Sequence, residues 1–193
     1  HLLSYAAPNP GAEIIYRASD MILTVDSDAA YLVAPQARSR AGGYHYLSDK
    51  AGAVFSGPIF TLAKVTKNVM ASASEAELGA LYMNAKEAAA IRNCLEAMGY
   101  PQPPTPMKTD NNTANGIISS TMRQKHSKAI DMRFYWLKDR AQQGQLSTCW
   151  GSGKHSLGGC RAKRHPPTHR KQARPTYAFI EGASPETLQG CIE

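Results

Sequence analysis

The sequence predicts an α/β domain with one five-stranded mixed sheet flanked by helices. Three observations carry this. Three apolar runs joined by short turns fill the first third of the chain, a long helical segment with a single apolar stripe follows, and two brief strands then alternate with helical stretches. Consecutive strands with short connections read as an antiparallel meander, and strands separated by helices read as parallel neighbours. The sheet is therefore expected to have three antiparallel strands first and parallel strands after them.

Residues 1–20 hold Pro8, Pro10 and Gly11 and read as a lead-in to a domain spanning 21–150. The first strand is 21–32, with ILTV as its apolar part and Asp28 near the end of that run. The second is 40–48, where Gly42 and Gly43 mark a bulge or a close backbone approach. Lys50-Ala51-Gly52 turns the chain into a third strand from Ile59 to Val65. A helix from about Ser74 to Met98 carries Leu78, Leu81, Tyr82, Ala85, Ala88, Ala89, Leu95 and Met98 at helical spacing. Ser72 or Ser74 can cap it, Glu75 and Glu77 suit its positive N-terminal end, and Gly99 stops it.

PQPPTP (101–106) is a stiff connector, and TPMKTD is a fourth strand running into Asp110. A second helix is expected over about Asn112–Ser120. A third follows over about Lys128–Gln143, with Ile130, Phe134 and Leu137 on one face, and a fifth strand over Gln145–Trp150. Beyond Trp150, residues 151–175 carry Lys154, Arg161, Lys163, Arg164, Arg170, Lys171 and Arg174 and no Asp or Glu. With Gly158-Gly159 and Pro166-Pro167 there is little to bury, so 151–193 reads as a loosely structured basic tail.

The chain has 193 residues, 42% of them hydrophobic, which suits one domain. A formal charge of +7 favours a polyanionic partner, since basic side chains on phosphates release condensed counterions. No run approaches the ~20 apolar residues of a membrane span, and the start at His1 shows neither Met nor a signal pattern. An intracellular piece of a longer reading frame is expected, neither secreted nor membrane-bound. The four cysteines form no CxxC pair, and Cys160, His165 and His169 fit a basic tail better than a metal site.

Three stretches carry acids in an order that suits metal-dependent phosphodiester chemistry: VDSDAAY around Asp28, ASASEAELGALY around Glu77 and MKTDNNTA around Asp110. An open α/β sheet gathers ligands outside the carboxyl ends of its strands, and Mg²⁺ takes hard oxygen ligands. Asp26 is a rival to Asp28 on the same strand face. Glu75 and Glu77 lie about 200° apart around a helix, so one of them can face such a site and the other is left for the helix end. Asp110 before Asn111-Asn112 also suits an Asx-type cap. Asp131, beside Lys128 and Arg133, reads as part of a solvated helix face.

These phrases resemble the ribonuclease H domain of copia-type LTR-retrotransposon Pol polyproteins. The first acid lies in Ser27-Asp28-Ala29-Ala30-Tyr31, and the helix opens with Ala73-Ser74-Glu75-Ala76-Glu77-Leu78-Gly79-Ala80-Leu81. The third acid lies in Asp110-Asn111-Asn112-Thr113-Ala114, and KHSKAIDMRFYWLKDRAQQGQ matches a later helix. The opening HLLSYAAPNPGAEIIYRASDM is similar to the family's lead-in from reverse transcriptase. The resemblance covers about residues 1–175. It implies a ribonuclease H-like fold, with Asp28, Glu77 and Asp110 as catalytic and metal-binding residues for two Mg²⁺ ions, Mn²⁺ being an alternative. It further implies an RNA–DNA hybrid as substrate, recognised by groove shape and 2′-hydroxyls, and an upstream reverse transcriptase domain as partner. Arg38 and Arg40, read as lying in the first hairpin connection, and Asn111 are the candidate nucleic-acid contacts.

One departure is large. The family places a fourth acid before a Thr-Lys pair ahead of His-Pro-Pro. Here Trp150, Leu157, Lys163 and His165-Pro166-Pro167 align with that phrase, while Gly159 stands where Asp is expected. Two readings therefore stand: a hybrid-cleaving endonuclease with impaired activity, or a non-catalytic nucleic-acid-binding or scaffold domain from a decayed element. A retroviral-type integrase would place Glu last of the three, and the order Asp28, Glu77, Asp110 argues against it.

Overall fold

The computed structural model describes residues 13–111, 128–151 and 156–163, with 7, 10, 11, 116, 178 and 179 in addition. In chain order the elements are β1 (Glu13–Ile14), β2 (Ile22–Ala34), β3 (Arg38–Ser48), β4 (Pro58–Val65), α1 (Ala73–Ala97), β5 (Thr105–Thr109), α2 (Lys128–Gln142), β6 (Leu146–Trp150), α3 (Leu157–Ala162) and β7 (Ala178–Phe179). Five strands form one sheet in the order β4-β3-β2-β5-β6, and β1 pairs with β7 apart from it. β2, β3 and β4 are antiparallel neighbours, β5 runs parallel to β2, and β6 parallel to β5. The mixed five-stranded sheet expected from the sequence is present.

Alternation along β2 builds two layers. Leu23 and Val25 face a core made with Leu78, Leu81, Ala85, Ala88 and Leu95 of α1 and Phe134 and Leu137 of α2. Truncating a fully buried leucine such as Leu81 to Ala would cost about 2–5 kcal/mol. Thr24 and Asp26 point the other way, level with Tyr46 and Tyr44, which pack with Phe55 and Cys160. On that second face sits α3, packed on β2 and β3.

The connector before β5 is tied down by polar groups. Gln102 accepts the Leu23 N–H at 3.0 Å and donates to the Met21 carbonyl at 2.9 Å. Arg92 of α1 donates to the carbonyls of Gln102 and Pro103. These bonds dock β5 against β2 and so place the end of β5. The lead-in is also held: Gly57 N–H donates to Ile15 O at 2.7 Å, and the Arg17 guanidinium to Phe55 O at 2.7 Å.

Two expectations are corrected. The first strand runs on to Ala34, so Asp28 is mid-strand, and Arg38 and Arg40 belong to β3 rather than to the hairpin connection. The turn is made by Gln36 and Ala37, with φ 61° and 53°. These are left-handed conformations that glycine or asparagine usually signals, and neither residue is present to mark the turn. Secondly, residues 156–163, read as loose tail, are folded as α3 with Gly158 and Ala162 buried. The small residues that suggested disorder are what allow close packing. A Cβ on Gly42 would lie 2.3 Å from Gly158 O and 2.5 Å from Ala162 N. The helix expected over Asn112–Ser120 lies outside the described residues.

Candidate metal centre

Register places two of the three acids side by side. Asp26 lies opposite Lys108 across the parallel β2–β5 pair. Two residues further on, Asp28 is therefore level with Asp110, which follows the last residue of β5. β2 continues beyond this point while β5 stops, which leaves a ledge bearing the Asp28 carboxylate.

Glu77 arrives from the start of α1. Its Oε1 accepts the Ala29 N–H at 3.1 Å, which pins the side chain to the strand beside Asp28. Glu75 turns elsewhere. Ser72 Oγ accepts the Glu75 N–H at 3.1 Å, and Glu75 Oε2 accepts the Ala71 N–H at 2.6 Å. That reciprocal arrangement is a variant of the capping box, and it separates the two acids as the helical geometry required.

Asp28, Glu77 and Asp110 each offer a carboxylate oxygen, and these atoms lie within 4.8 Å of one another. Asp28 is 1% exposed. Among the described residues, Asp28 Oδ2 and Glu77 Oε2 are shielded from water and find no hydrogen-bond donor. Burial pushes the Asp28 carboxyl up, and Asp110 adds to this, against the opposing effect of Lys163. Burial likewise raises Glu77, helped by the charges of Asp28 and Asp110, to about 8. Two buried carboxylate oxygens left without donors and facing like charges form an electrostatic deficit that a cation relieves. Three carboxylates with no nitrogen or sulfur donor form a hard set that fits Mg²⁺ or Mn²⁺.

One cation is already present. Lys163, the residue after α3, places Nζ 2.8 Å from Asp28 Oδ1. Its burial works to lower the ammonium pKa, yet the hydrogen bond and charge of Asp28, with Asp110 and Glu77, outweigh this and leave it raised. Gly159 lies one turn earlier, and a Cβ built on it would be 3.7 Å from Asp28 Oδ2. Gly159, where the sequence resemblance implies an acid, thus lies as close to Asp28 as to Ser156.

The remaining sequence candidates fall around this centre. Asp26 accepts the Ser156 hydroxyl at 3.0 Å and is no member of the cluster among the described residues. Asn111 donates its backbone N–H to Thr109 Oγ1 at 3.3 Å. Arg40 lies opposite Ala30, two pairs along from Asp28 and Gly42 and so on the same sheet face, while Arg38 is opposite Ala34 and donates to Pro35 O at 3.2 Å. The Asp131 side chain lies outside the described residues, as do His165 and His169.

Sequence reasoning missed three neighbours of the site. Lys163 was aligned but given no role. Trp150 is 54% exposed and donates its indole N–H to Asp110 O at 3.2 Å. Buried Asn84 donates to Ser27 Oγ, Gly42 O and Ala80 O at 2.9–3.0 Å, bracing β2 and β3 beneath Asp28. The paired glycines at 42 and 43 were the available signal for Asn84.

No family model matches the sequence, and no curated protein matches it. Among solved structures, the chain is similar to the N-terminal ribonuclease H domain of Rv2228c from Mycobacterium tuberculosis. The TM-score is 0.54 and the identity 10%, over 74% of this chain and 90% of that one. It is also similar to LC11-RNase H1, from compost, solved in complex with an RNA/DNA hybrid, with TM-score 0.53 and 9% identity over 70% and 88% of the two chains. The fold is ribonuclease H-like.

Proposed function

We propose that the chain is a divalent-metal-dependent endonuclease that hydrolyses the RNA strand of RNA–DNA hybrids, within the polyprotein of a copia-type LTR retrotransposon. The observation that carries this reading is the convergence of Asp28, Glu77 and Asp110 within 4.8 Å at the ledge of a ribonuclease H-like sheet. The copia assignment rests on the phrases around those acids and on the helix that follows. With it go an upstream reverse transcriptase domain as partner and an intracellular setting. Among the described residues, no helix is long and apolar enough to cross a membrane.

Asp28, Glu77 and Asp110 would hold Mg²⁺, or Mn²⁺ in its place. A divalent ion bound there supplies charge stabilisation to the attacking and leaving oxygens of the phosphodiester. The chain's own part is positional. The Ala29 N–H fixes Glu77, the β2–β5 register fixes Asp28 beside Asp110, and Trp150 buttresses the backbone of Asp110. Arg40, on the face of Asp28, Arg38, and Asn111 beside Asp110 are the groups assigned to the hybrid's phosphates and sugars. Phosphate contacts of this kind position the substrate without reading its sequence.

The second reading, a non-catalytic nucleic-acid-binding or scaffold domain of the same fold, is favoured by Gly159 alone. Incubating end-labelled RNA in a hybrid with the full chain and Mg²⁺ separates the two. Internal cleavage abolished by Asp28→Asn supports the enzyme. Hybrid binding with no cleavage in Mg²⁺ or Mn²⁺ supports the binding domain.

A further inference from the structure

Resting on the metal-site reading above, we propose that the Lys163 ammonium is a built-in second cation of this centre, so that the chain holds one divalent ion where three carboxylates and a lysine meet.

Three independent observations lead there. The first is the pairing itself. Lys163 Nζ lies 2.8 Å from Asp28 Oδ1, and the Asp28 side chain is 1% exposed. An exposed ion pair contributes little, whereas a carboxylate this deeply buried needs its partner. The second is how Lys163 is delivered. Its backbone N–H donates to Gly159 O at 2.8 Å. α3 is wedged against β2 so closely that a Cβ on Gly158 would lie 2.7 Å from Asp26 O and 3.0 Å from Asp28 N. The backbone of Lys163 is therefore placed by packing, and its side chain, 40% exposed, reaches from there to Asp28. The third is what is left over. Lys163 takes Asp28 Oδ1, while Asp28 Oδ2 and Glu77 Oε2 have no donor among the described residues. One side of the cluster is satisfied by the lysine and the other is open.

Charge supports the same count. With a divalent ion bound, all three carboxylates are ionised, and together with one ammonium they carry two negative charges, which that ion neutralises. A second divalent ion would have to share Asp28 with an ammonium already in contact with it. No carboxylate stands at Gly159 to help hold that ion, although a Cβ there would lie 3.7 Å from Asp28 Oδ2. An ammonium is a hydrogen-bond donor and a point charge. It replaces the electrostatic part of an ion and none of its capacity to coordinate water.

The test is a count of bound Mn²⁺ on the full chain by electron paramagnetic resonance, with affinity from isothermal titration calorimetry. The parent is expected to take one Mn²⁺. Lys163→Met should bind it at least about tenfold more tightly, and Lys163→Arg, which keeps the charge, should stay within about twofold of the parent by the same arithmetic. The double variant Gly159→Asp with Lys163→Met should take two ions. Two ions on the parent, or equal affinity for the parent and Lys163→Met, would overturn the lysine's role and leave the metal site standing. No Mn²⁺ on the parent or any variant would overturn the metal reading and this inference with it.

Discussion

Gly43 exists for Asn84. A Cβ on Gly43 would lie 1.7 Å from Asn84 Oδ1, so the amide of α1 occupies the space a side chain on β3 would need. That amide then spans Ser27 and Gly42 on the two strands under the acidic cluster.

Gly43→Ala is expected to destabilise the fold by about 2–4 kcal/mol. It overpacks a buried site and drives Asn84 from its acceptors. Gly159→Ala meets only ordinary van der Waals contacts, the nearest at 3.7 Å, and is expected to leave stability unchanged or raise it by up to about 1 kcal/mol. Denaturant melts of both variants check the contrast. Equal midpoints for the two would mean that Asn84 can move aside at no cost.

Glu77 carries a pH dependence in the metal-free chain. Its folded pKa of about 8 lies above the ordinary 4.5, so the folded state prefers the protonated carboxyl. The stability this adds is full below about pH 4.5 and is lost as pH rises through about 8. Glu77→Gln should flatten that decline in calorimetric Tm. Mg²⁺ at about a hundred times its Kd should stabilise the parent by about 2.7 kcal/mol and the variant by much less. Coincident Tm values for parent and variant, with and without Mg²⁺, would remove Glu77 from the site.

His45 titrates in the opposite sense and is no member of the acidic cluster among the described residues. It is fully buried, its Nε2 is 3.3 Å from Asn84 O, and burial lowers its pKa to about 4. The unfolded chain, at about 6.5, binds this proton first. Stability from His45 is therefore present above about pH 6.5 and is lost as pH falls toward about 4, by an amount of order 3 kcal/mol. His45→Gln should shrink that acid limb. An unchanged limb would assign acid unfolding to other groups.

Gly159→Asp tests the missing acid directly. Its Cβ has room beside Asp28 Oδ2, and a carboxylate there would add an oxygen ligand and a competitor for Lys163. Cleavage of the hybrid in Mg²⁺ should rise at least about tenfold, or about 1.4 kcal/mol of barrier. No change, in a chain that already cleaves hybrid rapidly, would show that another group fills this place.

The convergence of Asp28, Glu77 and Asp110 was legible because each sat in a phrase of distinct local structure. Helical geometry alone also told that Glu75 and Glu77 could not both face one site. Lys163 was not legible as the partner of Asp28 because that ion pair depends on α3 docking on the sheet. A glycine pair in basic surroundings carries no periodicity from which to foresee that docking. The first hairpin was misplaced for a related reason: Gln36 and Ala37 adopt left-handed backbone without the residue types that announce it. For α3, tertiary contact, which has no local spelling, decided the conformation.

The six residues of α3 are too few to form a stable helix in isolation; they hold their shape by leaning on β2 and β3. The same segment covers Tyr44 and Tyr46 through Cys160 and carries the charge that faces Asp28. Aromatic exposure and loss of the counter-charge are consequently one local unfolding event with one free energy. Any condition that pries the segment loose bares two tyrosine rings and a thiol in the same step that leaves the carboxylates uncompensated.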